Sequence, residues 1–370
     1  MNRAFLRLWL LRLILSLPPA ILRFFSGSGV VYANERTLDP QFQFLWRSWF
    51  QTASGRVGLS LSDKSLEAAR KDWQDAANLF GVPRQLRVKF ENIGGDGGNS
   101  ALGLAPVGGL LIRPGQIAPD APVLVFFHQG GGVLGGPELS KAFCALLAQE
   151  ARCPVFIPEY RLAPAHRFPA ALDDARLVYD WVQAHALRFG AKSGQVAVGG
   201  VLAGAGLAAR LCLDLKRDFK PLPVGQLLIT PMLDLSDASI KAQGNAGLWP
   251  LTANDLDIMI GHYAGAADLT DPRLSPGLEK LIIGQPRTFI VSAGHDPLAG
   301  QAEAFAKRLI QARTQALYRR YDTLPLGFDL FAGVADPARE ATIDIAHIWL
   351  DLLRAGKVNA EDDSREQSVA

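Results

Sequence analysis

The sequence predicts an α/β protein with a mostly parallel central sheet and helices on both faces. Short apolar runs such as residues 122–127 alternate with amphipathic stretches such as 170–187. Continuous apolar runs of this length are typical of strands that are buried on both faces of a parallel sheet. Strands that alternate with helices form parallel sheets that helices cover on each side. The formal net charge of +2 for 370 residues gives no electrostatic case for nucleic-acid binding.

The expected elements follow one another in a regular order from residue 86. Strands are expected over residues 86–90, 110–112, 122–127, 154–157, 195–198, 224–229, 288–291 and 316–321. Helices are expected over residues 138–150, 170–187, 203–215, 302–310 and 340–353. The Gly-rich stretch 94–109 predicts a loop or a hairpin connection. These elements assign residues 81–355 to one domain, and the polar residues 356–370 predict a disordered tail.

Residues 1–80 are expected to form a helical cap or lid on that domain. Within residues 1–25, Arg7 and Arg12 interrupt the apolar run, which falls short of the roughly 20 residues that span a bilayer. The basic start and apolar run are also features of a signal peptide. Two further interpretations stay open: the helix packs its apolar face on the body, or it lies peripherally in a membrane interface with arginines towards the headgroups.

A second lid segment is expected as an insertion over residues 231–286. It breaks the alternation of strands and helices and follows a strand, at the sheet edge where ligand sites of α/β proteins form. Thr252 and Asp255 are spaced as in a capping box and predict the start of a helix.

Cysteine usage gives a weak indication of the compartment. Cys144, Cys153 and Cys212 are too few for a disulfide framework, and their spacing suits no zinc site. Their apolar surroundings predict buried thiols, which favours a reducing compartment. We therefore expect a cytoplasmic protein, with membrane association through residues 1–25 as the open addition, and we expect no metal and no cofactor.

The stretch that carries the chemistry is 196–209, VAVGGVLAGAGLAA. A short apolar strand runs through a Gly-rich turn into a small-residue helix, which is the shape of a nucleophile elbow. Gly199, Gly200 and Gly204 suit a turn so tight that nearby Cβ atoms would clash. The side chain at the tip should be Ser, Cys or Asp. It is Leu202, which has no lone pair and no proton to lose.

Several motifs carry a resemblance to a known family. They are YRLAPAHRFPAALDD at 160–174, TPMLDL at 230–235, DPRLSP at 271–276 and HDPL at 295–298. Over roughly residues 110–353 the chain resembles the hormone-sensitive-lipase family of α/β-hydrolases, the bacterial carboxylesterases and lipases. The resemblance implies an α/β-hydrolase fold with a helical lid. It also implies ester hydrolysis by a Ser nucleophile, a His base, an acid and an oxyanion hole.

The resemblance places the triad residue by residue. It puts the acid at Asp296, which is present and follows His295. It puts the nucleophile at Leu202, where Val201 stands in place of the Asp that precedes the family's Ser. It puts the base at Leu326. Ser and His of the triad are therefore both replaced by Leu.

The resemblance also places the oxyanion hole. The donors correspond to Gly130 and Gly131 and to the backbone of Ala203. Their motif begins with His128, and Gln129 takes the place of its first Gly. We expect the side chain of Gln129 to reshape the hole.

The size of the rate loss caused by the two replacements decides which function is expected. Losing Ser or His alone costs on the order of 10⁶ in kcat in a serine hydrolase. We therefore expect a catalytically degenerate pseudo-esterase that binds an apolar or acyl-bearing small molecule, or a partner, in the former pocket. Leu202 and Leu326 would make the floor of that pocket dry and apolar.

Two alternatives stay open. The first is an active carboxylic ester hydrolase whose route is not visible in the sequence. His295 is then the alternative base near the site, although the elbow offers it no nucleophile. The second is a structural or interaction protein with a filled pocket. A homodimer is also left open as a partner.

Overall fold

The computed structural model describes residues 3–27, 29–33, 35–50, 59, 61, 65–83, 85–94, 107–238, 240 and 249–367. Their centre is an eight-stranded sheet in the order β1-β2-β4-β3-β5-β6-β7-β8. The strands are β1 (Val88–Ile93), β2 (Gly109–Pro114), β3 (Val123–Phe127), β4 (Val155–Pro158), β5 (Val196–Val201), β6 (Gly225–Ile229), β7 (Arg287–His295) and β8 (Ala316–Pro325). β2 pairs antiparallel with β1 and β4, and the other pairings are parallel. The predicted α/β fold with a mostly parallel sheet is confirmed.

Helices precede the sheet and connect its strands. They are α1 (Arg3–Leu15), α2 (Pro19–Phe25), α3 (Pro40–Phe44), α4 (Leu66–Phe80), α5 (Lys141–Ala151), α6 (Ala170–Phe189), α7 (Ala203–Arg217), α8 (Ala253–Ala264), α9 (Ala299–Gln311) and α10 (Asp336–Gln367). A two-residue hairpin pairs Tyr32–Ala33 with Arg36–Thr37, a π-helical turn covers Leu45–Trp49, and 3₁₀ turns cover Pro137–Ser140, Pro276–Leu278 and Phe328–Phe331.

The central strands owe their position to their composition. Every residue of β3, β4, β5 and β6 is buried, as expected for apolar runs that helices cover on both faces. The edge strand β8 instead alternates partly buried and exposed positions over most of its length. In the sheet centre Phe127 lies opposite Gly200, so the loops that follow β3 and β5 leave the same edge side by side.

The N-terminal helices pack on the body of the molecule. Leu11 and Leu15 of α1 are buried, and the Arg12 guanidinium donates a hydrogen bond to the Gly333 carbonyl at 2.8 Å. No single helix in the described part of the chain is both long and apolar enough to cross a bilayer; α1 and α2 would reach that length only together, and they are bent by 118°.

The segment between residues 34 and 80 is less uniformly helical than its pattern suggested. The hairpin comes first, and Pro40 then starts α3 with the Asp39 side chain accepting from the Gln41 amide at 2.8 Å. The next described helix, α4, begins at a Ser65 cap. Residues 51–58 lie outside the described part of the chain.

The C-terminal helix and the Gly-rich connection also differ from expectation. α10 ends at Gln367, so residues 356–367, for which the composition predicted disorder, are helical. This stretch contains no Pro, and its single Gly costs a helix about 1 kcal/mol relative to Ala. β1 and β2 pair antiparallel, which agrees with a hairpin connection over 94–109, although residues 95–106 lie outside the described ranges.

The three cysteines are free and buried, as predicted. Burial raises the pKa of each thiol, that of Cys153 to about 12, so all three are neutral at physiological pH.

Candidate active site

Leu202 forms the tip of the turn between β5 and α7. Its backbone adopts φ 54° and ψ −120°, a conformation that costs a residue with a Cβ on the order of 1–3 kcal/mol. Its amide donates to the Ile229 carbonyl at 3.1 Å, and its carbonyl accepts from the Met232 amide at 3.2 Å. The side chain is completely buried. The turn has the strained strand-to-helix geometry of a nucleophile elbow, with a hydrocarbon side chain at its tip.

Close backbone contacts explain the glycines of this turn. A Cβ on Gly200 would lie 2.4 Å from the carbonyl carbon of Gly204, and one on Gly204 would lie 2.1 Å from the Phe127 carbonyl oxygen. The sequence did not single out Gly206. A Cβ on Gly206 would likewise lie 2.5 Å from the Met232 carbonyl oxygen. The small-residue spacing of 203–206 was the signal for it. No side chain larger than hydrogen fits at these positions without moving the backbone.

The loop after β3 lies against this turn. Gly130 and Gly131 have φ values of 121° and 66°, and the Gly130 carbonyl accepts from the amides of Val133 and Leu134. A Cβ on Gly204 would lie 2.7 Å from the His128 carbonyl oxygen. The fold therefore brings the loop with the expected oxyanion donors beside Ala203, the first residue of α7.

His128 is a buried neutral residue that orders this loop. Its Nδ1 lies 2.7 Å from the Gln129 carbonyl, and its ring stacks on Tyr160 with centroids 4.3 Å apart. The Tyr160 hydroxyl donates to the His128 carbonyl at 2.8 Å. Burial lowers the pKa of His128 to about 4. The neutral ring therefore donates from Nδ1, and it orients the loop without serving as a base at neutral pH.

Gln129 bridges two loops at this edge of the sheet. Its Nε2 donates to Asp329 Oδ2 at 2.9 Å and to the Leu139 carbonyl at 3.3 Å. Its Oε1 lies 3.7 Å from a Cβ built on Gly327. The side chain is thus directed at the turn after β8. The sequence did not identify Asp329 as its partner, and the only available signal was a carboxylate three residues beyond Leu326.

Asp296 follows β7 and is almost completely buried. Its Oδ1 accepts from the Leu298 amide at 2.8 Å, the contact expected of a turn-capping aspartate, whereas its Oδ2 has no hydrogen-bond partner among the described residues. Burial raises the pKa of Asp296 to about 7. One carboxylate oxygen is therefore available to a further donor.

His295 and Leu326 are joined through the backbone. The Leu326 amide donates to the His295 carbonyl at 3.0 Å, which holds the end of β8 beside the loop of Asp296. Burial lowers the pKa of the His295 ring, and the backbone of Thr37 offsets part of that effect. Within the described chain the ring makes no hydrogen bond of standard geometry. Leu326 and Val201, at the ends of β8 and β5, are completely buried.

α8 covers the loop after β3, which carries the expected oxyanion donors. It begins with the predicted capping box: the Asp255 amide donates to Thr252 Oγ1, and Asp255 Oδ2 accepts from the Thr252 amide. A Cβ on Gly131 would lie 2.4 Å from Met259 Sδ, and one on Gly132 would lie 2.7 Å from the Tyr263 ring. The Tyr263 ring occupies the space beside residue 132, which explains the glycine there.

A small void adjoins the start of α7. Its volume is about 20 Å³, enough for about one water molecule. It is lined by Ala203, Gly206, Leu207, Arg210, Met232, Leu235, Tyr263, Arg273 and Leu274. No group of three or more His, Cys, Asp or Glu side chains suited to a metal ion occurs in the described ranges.

The buried Asp329 gives a pH-dependent prediction. Burial raises its pKa from the ordinary value of 3.8 to about 7, so the folded chain holds a proton that the unfolded chain releases between these values. The free energy of unfolding therefore falls as pH rises from about 4 to about 7, and the loss persists above that. We expect Asp329→Asn, which never ionises and keeps an acceptor for Gln129, to gain roughly 1–3 kcal/mol at pH 8 relative to its effect at pH 5.

Urea unfolding at both pH values checks this prediction. The exposed Asp351→Asn on α10 is the matched control and should leave the pH dependence of the parent unchanged. Equal pH slopes for Asp329→Asn and the parent would contradict a buried, protonated Asp329.

Comparisons with known proteins agree with this architecture. A protein-family model described as alpha/beta hydrolase fold matches residues 124–330. The carboxylic ester hydrolase LipN of Mycobacterium tuberculosis is 34% identical over 325 residues, covering 84% of this chain and 82% of LipN. Esterase LipI of the same organism is 32% identical over 292 residues, covering 76% of this chain and 86% of LipI.

Solved structures give the same result. An alpha/beta hydrolase from the metagenome of Lake Arreo, Spain, superposes with a TM-score of 0.73 at 29% identity and covers 85% of this chain and 96% of its own. A hyperthermophilic esterase from the archaeon Pyrobaculum calidifontis superposes with a TM-score of 0.72 at 27% identity, covering 84% and 97%. The resemblance stated from the motifs is confirmed, and the chain belongs to the α/β-hydrolase fold family, among relatives that are carboxylic ester hydrolases.

Proposed function

We propose that this chain is a catalytically degenerate member of its esterase family, which binds an apolar or acyl-bearing small molecule where its relatives hydrolyse esters. The observation that carries the proposal is Leu202. It lies at the tip of the elbow, in the strained backbone conformation that presents a nucleophile, and it is completely buried. A hydrocarbon side chain has no electron pair with which to attack a carbonyl carbon.

The acid side of the site supports the same proposal. In a working triad the carboxylate accepts a hydrogen bond from the His base and holds its orientation. Here Oδ2 of Asp296 has no partner within the described residues, and Leu326 stands at the position expected for the base. A buried carboxyl with a pKa of about 7 and an unused oxygen is what remains when its partner is lost.

The ligand class follows from the surrounding side chains. Leu202 and Leu326 and the covering Met259 are all completely buried and apolar. Such surroundings favour hydrocarbon over charged ligands. The void of about 20 Å³ beside Ala203 is too small for an acyl chain, so binding requires α8 to move. Met259 suits such movement because its unbranched side chain repacks easily.

A second candidate is an active carboxylic ester hydrolase. It is favoured by the relatives, which include a carboxylic ester hydrolase that is 34% identical over most of both chains. It requires a nucleophile that does not lie at the elbow tip. Hydrolysis measurements separate the two candidates directly.

The experiment measures hydrolysis and binding on the same full-length preparation. With p-nitrophenyl butyrate and octanoate we expect a rate equal to the buffer background. With octanoate or laurate as ligand we expect a saturable rise in melting temperature, because a ligand at 100 times its Kd stabilises by about 2.7 kcal/mol. Met259→Gln should weaken this shift because it puts an amide against the chain, whereas the control Met259→Leu should retain it.

Two outcomes would contradict the proposal. A rate above background that falls in Asp296→Ala would support the active hydrolase. Background hydrolysis with no melting shift from either acyl ligand would support an interaction protein with a filled pocket, the third possibility left by the sequence.

A further inference from the structure

α1 and α2 carry apolar residues on two opposite faces. The inner face, with Leu11, Leu15 and Leu22, is buried in the core. The outer face of α1 presents Leu6, Trp9, Leu10 and Leu13, with exposed fractions of 46, 54, 44 and 51%. Their spacing of three and four residues places them on one stripe. A helix that packs on a protein core normally turns polar residues outward. Packing on the core therefore does not explain the apolar residues of this outer stripe.

Further exposed apolar side chains lie on α2. Phe24 and Phe25 are 80 and 56% exposed, and their rings contact each other edge to face with centroids 5.7 Å apart. Isolated exposed apolar side chains are ordinary on protein surfaces. Elsewhere on this protein Phe219 and Leu187 are of that kind. A set of such side chains on two consecutive helices marks a surface that another phase or molecule covers.

The charge of the N-terminal segment indicates what covers these exposed side chains. Arg3, Arg7, Arg12 and Arg23 lie in this segment, and no Asp, Glu or Lys occurs before Glu35, so the first 34 residues carry a formal charge of +4. The rest of the chain, with 34 Lys and Arg against 36 Asp and Glu, carries −2. Arg7 is exposed, whereas the Arg12 guanidinium is held by the Gly333 carbonyl. Helices that combine Arg with Trp, Phe and Leu lie in the headgroup region of bilayers, and anionic lipids attract their arginines.

We propose that the outer face of α1 and α2 docks this protein on the surface of an anionic phospholipid bilayer. The bend of 118° between the helices suits a pair that lies along a surface. The hydrogen bond from Arg12 to the Gly333 carbonyl ties α1 to the chain that follows Leu326. This proposal concerns the N-terminal face and does not depend on whether the elbow is catalytic.

Co-sedimentation of the full chain with large vesicles tests the proposal. We compare phosphatidylcholine vesicles with vesicles containing about one third phosphatidylglycerol, at low and high salt. We expect binding to the anionic vesicles, weakened at high salt. The triple variant Trp9→Ser, Leu13→Ser, Phe24→Ser should bind at least about tenfold more weakly, because it removes three exposed apolar anchors. The control Phe219→Ser, Leu187→Ser removes two apolar side chains elsewhere, with exposed fractions of 95 and 74%, and should bind like the parent.

Several results would overturn the proposal. One is a triple variant that binds vesicles as tightly as the parent, or a control variant whose binding weakens as much as that of the triple variant. Another is equal binding to neutral and anionic vesicles at every salt concentration. If the parent does not bind vesicles but forms a dimer, and the triple variant abolishes that dimer, the face is instead assigned to a second copy of the chain. Melting curves of both variants show whether they remain folded.

Discussion

Leu202→Ser combined with Leu326→His is expected to turn the protein into a measurable esterase. We expect its kcat/KM on p-nitrophenyl butyrate to exceed that of the unchanged chain by at least about 10²-fold, because a Ser–His pair is worth on the order of 10⁶ in a mature serine hydrolase. The backbone of the elbow needs no change, since Leu202 already adopts the strained conformation.

Asp296 is the acid that we expect to orient the introduced His. Its Oδ2 makes no hydrogen bond of standard geometry within the described chain, which leaves an acceptor for the new ring. The Leu326 backbone is fixed to His295 by a hydrogen bond of 3.0 Å. Adding Gln129→Gly and Val201→Asp should raise the rate further if the side chain of Gln129 limits the oxyanion hole.

Two controls separate catalysis from general effects of the substitutions. Leu202→Ser alone should gain little, because an unassisted Ser is a poor nucleophile at neutral pH. Leu202→Ala with Leu326→His should gain nothing. A folded Ser–His variant with the rate of the parent would show that these two positions do not form a catalytic pair, and it would remove the basis of the proposed function.

Gly204→Ala is expected to cause a large loss of stability. The new Cβ would lie 2.1 Å from the Phe127 carbonyl oxygen and 2.6 Å from its carbon. Both atoms belong to the backbone of a central strand, which cannot turn aside as a side chain can. We expect a loss of about 3 kcal/mol or more, measured by urea unfolding, or failure to fold.

A matched substitution in α8 is expected to raise the free energy of unfolding instead of lowering it. Nothing lies within 4 Å of a Cβ built on Gly261. Gly261→Ala should therefore stabilise the protein by roughly 0.5–1 kcal/mol, since Ala loses less backbone entropy in a helix. Equal effects of the two substitutions would contradict the close approach of α7 to β3.

The strands and the elbow were predictable because their signals are local. Each apolar run corresponds to a strand that helices bury, and the glycine spacing around Leu202 identified the turn. The capping box of Thr252 and Asp255 was predictable for the same reason, since four consecutive residues contain all of its atoms. The identity of the tip residue, and with it the loss of a nucleophile there, is read directly from the chain.

Other features depend on residues that lie far apart in sequence. Gln129 contacts Asp329 at a separation of 200 positions, so no local pattern could show where its amide is directed. The raised pKa of Asp296 follows from burial, which depends on residues far away in the sequence.

The N-terminal helix shows most clearly how the two sources of information differ. The sequence by itself determined that α1 is apolar and interrupted by arginines, and it left a packed helix and an interfacial helix as alternatives. Only the tertiary structure decided that one face packs and the other stays exposed, because burial depends on which residues the rest of the fold brings against a helix. In the same way the sequence determined that Leu202 replaces a nucleophile, and the structure determined that the strained turn persists around it, since backbone contacts with β3 and β6 hold that turn whatever side chain it carries.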